Sequence, residues 1–404
     1  MNSRFLFVEQ VEVADRTVLL RLDINVPMKD GIISDDTRLQ RVLPGIKALR
    51  AARASIVILT HFGRPKGRVA PEFSLAPVAA ALGAQLGCEV PVEANIICGG
   101  EQAAANLKPG DVLMLENLRF HPGEEANDTD FAAVLAGLGD IYVGDAFSCA
   151  HRPHASVEAL PRLMAAAGKI VCAGRSMGDE LAALRAVLSE PKRPVAAVVG
   201  GAKVSTKLQI LENLVTRVDG IVLGGGMANT FLLAKGHNVG ASLVEADMVE
   251  MAICIMKTAT ANDCRLILPV DARVAREFVS GAPYRVADID SVRSEEIILD
   301  FGPESIIAAT DFITGCETIV WNGPIGAFEI APFDIGTNAI AEAVADRTVA
   351  GDMLSVAGGG DTMAALVNAG TSDQFTHVST AGGAFLEWLE GKALPGIEAL
   401  QITI

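Results

Sequence analysis

The sequence predicts an α/β protein with two lobes, each a parallel β-sheet flanked by helices, joined by a helical hinge. Short apolar runs alternate with helix-like stretches along the chain, which is typical of parallel sheets. The residues that follow these runs are polar and cationic in the first half and glycine-rich in the second. Between the halves, 176–189 has helical spacing, and the proline-flanked segment 190–194 ends that helix. We therefore place domains at 1–175 and 195–389, with 176–194 as the hinge.

Composition excludes several functional classes. The 404 residues carry a net charge of −16, which argues against nucleic acid or an anionic membrane as a partner. The seven cysteines include no CxxC pair, so we expect reduced thiols and no zinc site. The N-terminal segment MNSRFLFVEQ lacks the apolar core of a signal peptide, and we find no membrane span. We therefore expect a globular protein in the cytoplasm.

The polar residues of the first half follow five apolar runs that predict strands, at 18–22, 55–60, 111–115, 141–143 and 169–171. Because parallel strands end at the same edge of a sheet, we expect the residues after them to lie together. The candidates are Asp23, Asn25, His61, Arg64, Arg119 and Arg152. Arginine binds phosphate and carboxylate through paired N–H groups, so this cluster indicates a small anionic ligand. The alternative is that each cation pairs with a nearby surface carboxylate.

Arg38 belongs to a different kind of segment. The run SDDTR, 34–38, can cap a helix over about 39–52, which places Arg38 at the start of that helix. A cation there is slightly unfavourable for the helix dipole. Arg38 is therefore either an ordinary surface charge or a residue with another purpose.

The second half is organised around VVGGAKVSTK, residues 198–207. Its two glycines allow close approach of the backbone to a ligand, and a helix after them would direct free N–H groups at an anion. If the segment is helical, Lys203 and Lys207 share one face and can contact a polyphosphate. The alternative is a solvated helix start. The same order of apolar run, glycines and helix recurs at 221–226, 354–362 and 378–383, which predicts a phosphate site at one sheet edge.

Two acidic residues of this half are candidate ligands. Asp361, beside Thr362 at a predicted helix start, can hold Mg²⁺ on a nucleotide or simply cap the helix. Glu329 can bind a ribose hydroxyl or remain solvated. Anionic ligands on two lobes, joined by a helix, predict phosphoryl transfer after domain closure.

A series of ordered motifs then points to one family. They are RLDINVP (21–27), SDDTR (34–38), HFGRPKG (61–67), ENLRFHPGEE (116–125), GDAF and AHRPHAS (144–156), VVGGAKVSTK (198–207), GGGMANTF (224–231), WNGPIGAFE (321–329), GGGDT (358–362) and LEGKALPGI (389–397). With these motifs the chain resembles phosphoglycerate kinases over essentially its whole length. The resemblance implies two Rossmann-like lobes, with the tail 390–404 packing back on the N-terminal domain. It also implies reversible, Mg²⁺-dependent phosphoryl transfer between ATP and 3-phosphoglycerate, giving ADP and 1,3-bisphosphoglycerate, in glycolysis. We expect a monomer, because both active faces must swing freely.

The resemblance also implies roles for individual residues. Asp23 and Asn25 would hold the hydroxyl and carboxyl end of the glycerate, and Arg38 would neutralise the reacting carboxylate and the phosphoryl group in transit. Lys203 and Lys207 would contact the transferring and nucleotide phosphates, with the turn at Gly382 pointing at the transferring group. The 3-phosphate would be held by His61, Arg64, Arg119 and Arg152. The nucleotide would be held by Lys207, Gly225, Gly226, Asn322, Glu329, Gly359, Gly360, Asp361 and Thr362, with Asp361 serving Mg²⁺.

The chain departs from the family's usual pattern at a few positions. It has Ser148-Cys149 where Gly-Thr is usual, Pro153 where alanine or a similar residue is usual, Ala381 where a third glycine is usual, and Phe385 where a small polar residue is usual. These departures affect the expected catalytic rate and hinge motion more than they affect the resemblance to the family. Two alternatives stay open: a weak paralogue kept as a binding or scaffold protein, and a kinase for another small carboxylate.

Overall fold

The computed structural model describes residues 4–29 and 31–402. Two compact units divide the chain between Leu181 and Ala182, and residues from Ala393 onward belong to the first unit. The division falls inside the helix Arg175–Leu188, which lies in the segment predicted as the hinge. No helix in these described residues has the length and apolarity needed to cross a membrane.

The first unit is built on a six-stranded parallel sheet with helices packed around it. Its strands up to the division are β1 Arg4–Phe5, β2 Thr17–Leu22, β3 Met28–Lys29, β4 Ile32–Ile33, β5 Ser55–Leu59, β6 Val92–Glu93, β7 Val112–Leu115, β8 Ile141–Asp145 and β9 Ile170–Ala173. Its helices are α1 Thr37–Ala51, α2 Ala76–Leu86, α3 Ile96–Ala105, α4 Pro122–Glu125, α5 Thr129–Ala136 and α6 Leu160–Ala166, and α7 Arg175–Leu188 crosses the division into the second unit. The parallel sheet has the order β6-β7-β5-β2-β8-β9. β5 and β7 are buried at every position, as expected for strands covered by helices on both faces.

The second unit holds another six-stranded parallel sheet. Its strands are β10 Val195–Val199, β11 Gly220–Leu223, β12 Arg265–Ile267, β13 Asp271–Ala275, β14 Tyr284–Asp288, β15 Ile297–Phe301, β16 Thr318–Asn322, β17 Leu354–Gly358 and β18 His377–Ser379. Its helices are α8 Leu208–Leu214, α9 Gly225–Ala234, α10 Val249–Ala261, α11 Pro303–Thr314, α12 Ile335–Val349, α13 Gly360–Asn368 and α14 Gly382–Leu389. The parallel sheet has the order β12-β11-β10-β16-β17-β18. The predicted α/β class, with two lobes of parallel sheet flanked by helices, is therefore confirmed.

A three-stranded antiparallel sheet, in the order β14-β13-β15, is the main feature that the sequence analysis did not predict. Its edge strand β14 is exposed at Tyr284, Val286 and Asp288, is buried only at Ala287, and has charges at Arg285 and Asp288. Such a short mixed pattern differs from the apolar runs of the parallel sheets, and so it gave no clear strand signal.

The chain returns to the first unit at its end. A short helix, α15 Pro395–Glu398, precedes β19 Gln401–Ile402, which pairs antiparallel with β1. The backbone N–H of Gly396 donates to the carbonyl of Ala150 at 2.9 Å. The side chain of Leu400 lies against Gly144, where an added Cβ would come within 3.1 Å of it. The last segment therefore packs on β8 and the turn that follows it.

Candidate active site

Strand ends build the cationic cluster of the first unit. β5, β2 and β8 are neighbours in a parallel sheet, so Asp23, His61 and the turn Phe147–Cys149 follow strands at one edge. Asn117 follows β7 at the same edge, and its amide clamps the β5 turn by donating to the carbonyl of Phe62 at 2.7 Å. The same Asn117 side chain accepts the backbone N–H of Arg119 at 3.1 Å. The fold therefore brings the strand-end residues together, as the alternation of strands and helices predicted.

Two buried arginines form the base of this cluster. Arg119 is 3 % exposed and donates Nη1 to the carbonyl of Gly63 at 2.7 Å. Arg21 lies inside β2 and donates Nε to Ser156 Oγ at 2.8 Å, while its Nη2 is 3.2 Å from His61 Nδ1. The sequence analysis did not name Arg21 as a site residue, although a charge within an otherwise apolar strand is a usable signal. Buried guanidinium groups at the edge of a sheet form a preorganised anion site.

Two histidines of the cluster, His61 and His154, are held in the neutral form. Burial, then the charges of Arg21 and Arg119, hold the pKa of His61 well below its usual value. Burial, then Arg119, lowers the pKa of His154 to about 3. The positive charge of the cluster therefore comes from its arginines. An anion bound among them would act in the opposite direction on both histidines and would raise their pKa.

The remaining first-unit candidates surround Asp23. Arg38 is the second residue of α1, and its Nη1 lies 2.5 Å from Asp23 Oδ2. Asn25 Oδ1 accepts the backbone N–H of Gly63 at 3.1 Å. Arg152 is half-buried and donates Nε to His151 Nε2 at 3.3 Å. Arg64 is exposed.

Glycine turns end the strands of the second unit. Gly225, Gly360 and Gly382 are the first residues of α9, α13 and α14, so backbone N–H groups at three helix starts follow strands of one sheet. Gly225 has a φ of +67°, and a Cβ there would lie 2.5 Å from the carbonyl oxygen of Gly201. Glycine is therefore required at that turn. Ala381 has a φ of −95°, outside the positive range that favours glycine.

Lys203 and Lys207 do not share a helix face. α8 begins only at Leu208, so both lysines precede it, and Lys207, at the end of a turn, has a φ of −124°. The helical interpretation of this segment is therefore wrong. Lys203 is exposed, whereas Lys207 is largely buried and donates Nζ to the carbonyl of Asn322 at 3.1 Å and to its side-chain oxygen. Burial lowers the pKa of Lys207 to about 8, and the carboxylate of Asp361 partly opposes this shift.

Asn322 and Thr362 tie the glycine turns together. Asn322 Nδ2 donates to the carbonyl of Gly358 at 2.7 Å, and the hydroxyl of Thr362 donates to the same carbonyl at 2.9 Å. The Thr362 oxygen also accepts the backbone N–H of Gly323 at 2.7 Å. Both side chains are buried. Asn322 and Thr362 therefore hold Lys207 and the backbone turn at Gly359 in place.

A cavity of about 510 Å³ opens beside this network in the second unit. Its walls are mostly apolar and backbone, with Leu243, Phe278, Leu299 and Ile325 among them. Gly225, Gly226, Glu329 and Asp361 line it, whereas the other predicted nucleotide residues lie outside its lining. A mostly apolar cavity, with glycine N–H groups and an exposed carboxylate at its edge, suits an aromatic base carrying phosphates.

The arrangement around Asp361 suits a metal carried by phosphates. Asp361 is exposed in the first turn of α13 and supplies a hard oxygen ligand beside the cavity. Mg²⁺ commonly binds through one or two carboxylates, with phosphate oxygens and waters completing its octahedron. One carboxylate at this position therefore fits Mg²⁺ bound together with a nucleotide.

Comparison with known proteins gives one consistent family. The phosphoglycerate kinase family model matches residues 8–392. A phosphoglycerate kinase from Azorhizobium caulinodans is 54% identical over 398 residues, covering 98% of this chain and 99% of the relative. The solved phosphoglycerate kinase of Coxiella burnetii superposes with a TM-score of 0.93 at 43% identity, covering 98% of this chain and 99% of that one. The enzyme from Pyrococcus horikoshii superposes with a TM-score of 0.77 at 32% identity, covering 97% and 98%. The strand-end cations, the glycine turns and these matches together show that the chain belongs to the phosphoglycerate kinase family.

Proposed function

We propose that this protein catalyses reversible, Mg²⁺-dependent phosphoryl transfer between ATP and the carboxylate of 3-phosphoglycerate, as a glycolytic enzyme. Family membership supports the reaction. The observation in the structure that carries the proposal is the set of buried arginines, Arg21 and Arg119, beside neutral His61 at one sheet edge. Such a set favours a compact anion with several negative oxygens.

The first unit is proposed to hold 3-phosphoglycerate. Its 3-phosphate would bind among His61, Arg64, Arg119 and Arg152. Asp23 and Asn25 would hold the hydroxyl and carboxyl end. Arg38 gives one N–H to Asp23, and a guanidinium carries five, so the rest of the group can neutralise the reacting carboxylate and the phosphoryl group in transit.

The second unit is proposed to hold the nucleotide, with its base in the apolar cavity and its phosphates at the glycine turns. Lys207 and Lys203 would contact the nucleotide and transferring phosphates, and the N–H groups at Gly382 would face the group in transit. Asp361 would hold Mg²⁺, which neutralises phosphate charge when bound, and Glu329 would lie near the ribose. Because the two ligands belong to different units, we infer that transfer requires hinge motion in 176–194, which also excludes water. We further propose a cytoplasmic monomer.

A coupled assay with ATP and 3-phosphoglycerate tests this proposal. We expect turnover that requires Mg²⁺ and is lost in Lys207→Ala. Absence of turnover with 3-phosphoglycerate, together with turnover of another small carboxylate, would favour the alternative substrate. Absence of turnover with every carboxylate, while ligand binding persists by calorimetry, would favour a binding protein.

A further inference from the structure

Strand pairing brings Ser148 next to Asp23. β2 and β8 are parallel neighbours in register, with Leu22 opposite Asp145. The chain leaving β2 and the chain leaving β8 therefore emerge side by side. Asp23 is the first residue after β2, and Ser148 is the middle residue of the 3₁₀ turn Phe147–Cys149 that follows β8.

The carboxylate of Asp23 is held by three donors. Its Oδ2 accepts from Arg38 Nη1 at 2.5 Å and from the hydroxyl of Ser148, so both donors share one oxygen. Its Oδ1 accepts the backbone N–H of Asn25 at 3.2 Å. The Asp23 side chain is 13 % exposed, whereas the Arg38 side chain is 39 % exposed. Asp23 is therefore the more buried member of the ion pair and is held by donors other than Arg38.

The hydroxyl of Ser148 determines how firmly that carboxylate is fixed. A single contact between a guanidinium and a carboxylate leaves both groups free to rotate, and exposed pairs of this kind are weak. A serine has one O–H to donate, and Ser148 directs it at the oxygen that Arg38 uses. With Asn25 N–H on the other oxygen, the plane of the carboxylate is defined. The oxygen that accepts from Arg38 is then fixed in place, which limits where the Arg38 guanidinium can lie.

We propose that Ser148 is a positioning residue for phosphoryl transfer, acting through Asp23 on Arg38. The proposal rests on the proposed function, in which Arg38 neutralises charge on the reacting groups. Catalysis by such a cation depends on its placement before the reaction, and small displacements are costly. The hydroxyl therefore contributes to the rate more than to the binding of either substrate.

The test compares Ser148→Ala and Ser148→Thr with the wild-type enzyme in the coupled assay. Loss of one supporting hydrogen bond should lower kcat about three- to tenfold, while both KM values stay within about twofold. Ser148→Thr restores the hydroxyl and should restore kcat. Ser74→Ala is the matched control, because Ser74 donates to the carboxylate of Glu116 at 2.7 Å elsewhere in the first unit, and it should leave kcat unchanged.

An Arg38→Lys background shows whether Ser148 acts through Arg38. Ser148→Ala should cause no further loss there, because the group that it positions has been replaced. Thermal unfolding of each variant identifies any general loss of fold, and Ser148→Gly provides a second removal of the hydroxyl.

Several results would overturn the inference while leaving the proposed function intact. The first is an active wild-type enzyme whose kcat is unchanged in both Ser148→Ala and Ser148→Gly. The second is a loss of kcat on Ser148→Ala that is as large in the Arg38→Lys background as in the wild type. The third is a fall in KM for 3-phosphoglycerate in Ser148→Ala. The last result would mean that the hydroxyl competes with substrate for Asp23. A wild-type enzyme without turnover would instead overturn the proposed function, and the inference with it.

Discussion

Nucleotide binding is expected to draw a proton onto Lys207. Burial lowers the pKa of this amine to about 8, so at pH 8 about half of the ligand-free molecules carry a neutral Lys207. Phosphate oxygens within 4–6 Å should raise the pKa by about 1–3 units. Lys207 should therefore take up about 0.4 to 0.5 proton when ADP binds at pH 8, and close to none at pH 6, because its amine is already charged there. Above pH 8, the affinity for ADP should fall by up to about tenfold per pH unit.

Isothermal titration in buffers of different ionisation enthalpy measures this uptake directly. Lys207→Met keeps the length of the side chain and removes the titrating group, so it should abolish the uptake. Lys203→Met is the matched control, because Lys203 is exposed, and it should leave the uptake unchanged. Asp300 also lines the cavity, and burial raises its pKa to about 7, so this carboxyl can contribute to uptake that persists in Lys207→Met. Equal uptake by Lys207→Met and wild type would refute the reasoning.

Three further predictions concern the proposed reaction. Arg38→Ala should lower kcat by roughly 10²-fold or more with little change in nucleotide binding, and near-normal turnover would remove Arg38 from the transition state. Ala381→Gly should change kcat by less than about tenfold, because the negative φ of Ala381 does not require glycine. A hundredfold rise would show that the native turn is impaired and would favour the weak paralogue. Small-angle scattering should show a more compact protein with both ligands than with either one, and identical profiles would contradict hinge motion in 176–194.

The parallel sheets could be predicted because their strands are buried on both faces. The apolar runs that became β5 and β10 therefore had no competing interpretation, and the residues after them had to meet at one edge. The antiparallel sheet was missed because β14 has exposed and charged positions. Sequence spacing alone could not show that Lys207 precedes α8, since a lysine pair at i and i+4 fits either a helix or a turn.

The candidate site was predicted as a set of positions, without its internal contacts. The alternation of strands and helices determines where each chain segment ends, so Asp23, His61 and Arg119 were accessible to that reasoning. Which side chain donates to which is decided by neighbours distant in sequence, as with Ser148 and Asp23 or Lys207 and Asn322. Arg21 was not named because it lies within the apolar run 18–22, and only residues after such runs were taken as candidates.

The return of the chain to its first unit has a consequence for the order of folding during vectorial synthesis. α15 and β19 pack on β8 and pair with β1, yet the ribosome makes them only after the whole of the second unit, Ala182–Lys392. The second unit is contiguous and can fold as it emerges. In the first unit, Gly144 and Ala150 therefore stay without their contacts to the C-terminal segment until the last residues are made. The turn that carries Ser148 therefore receives its final support only after the whole of the second unit has been synthesised.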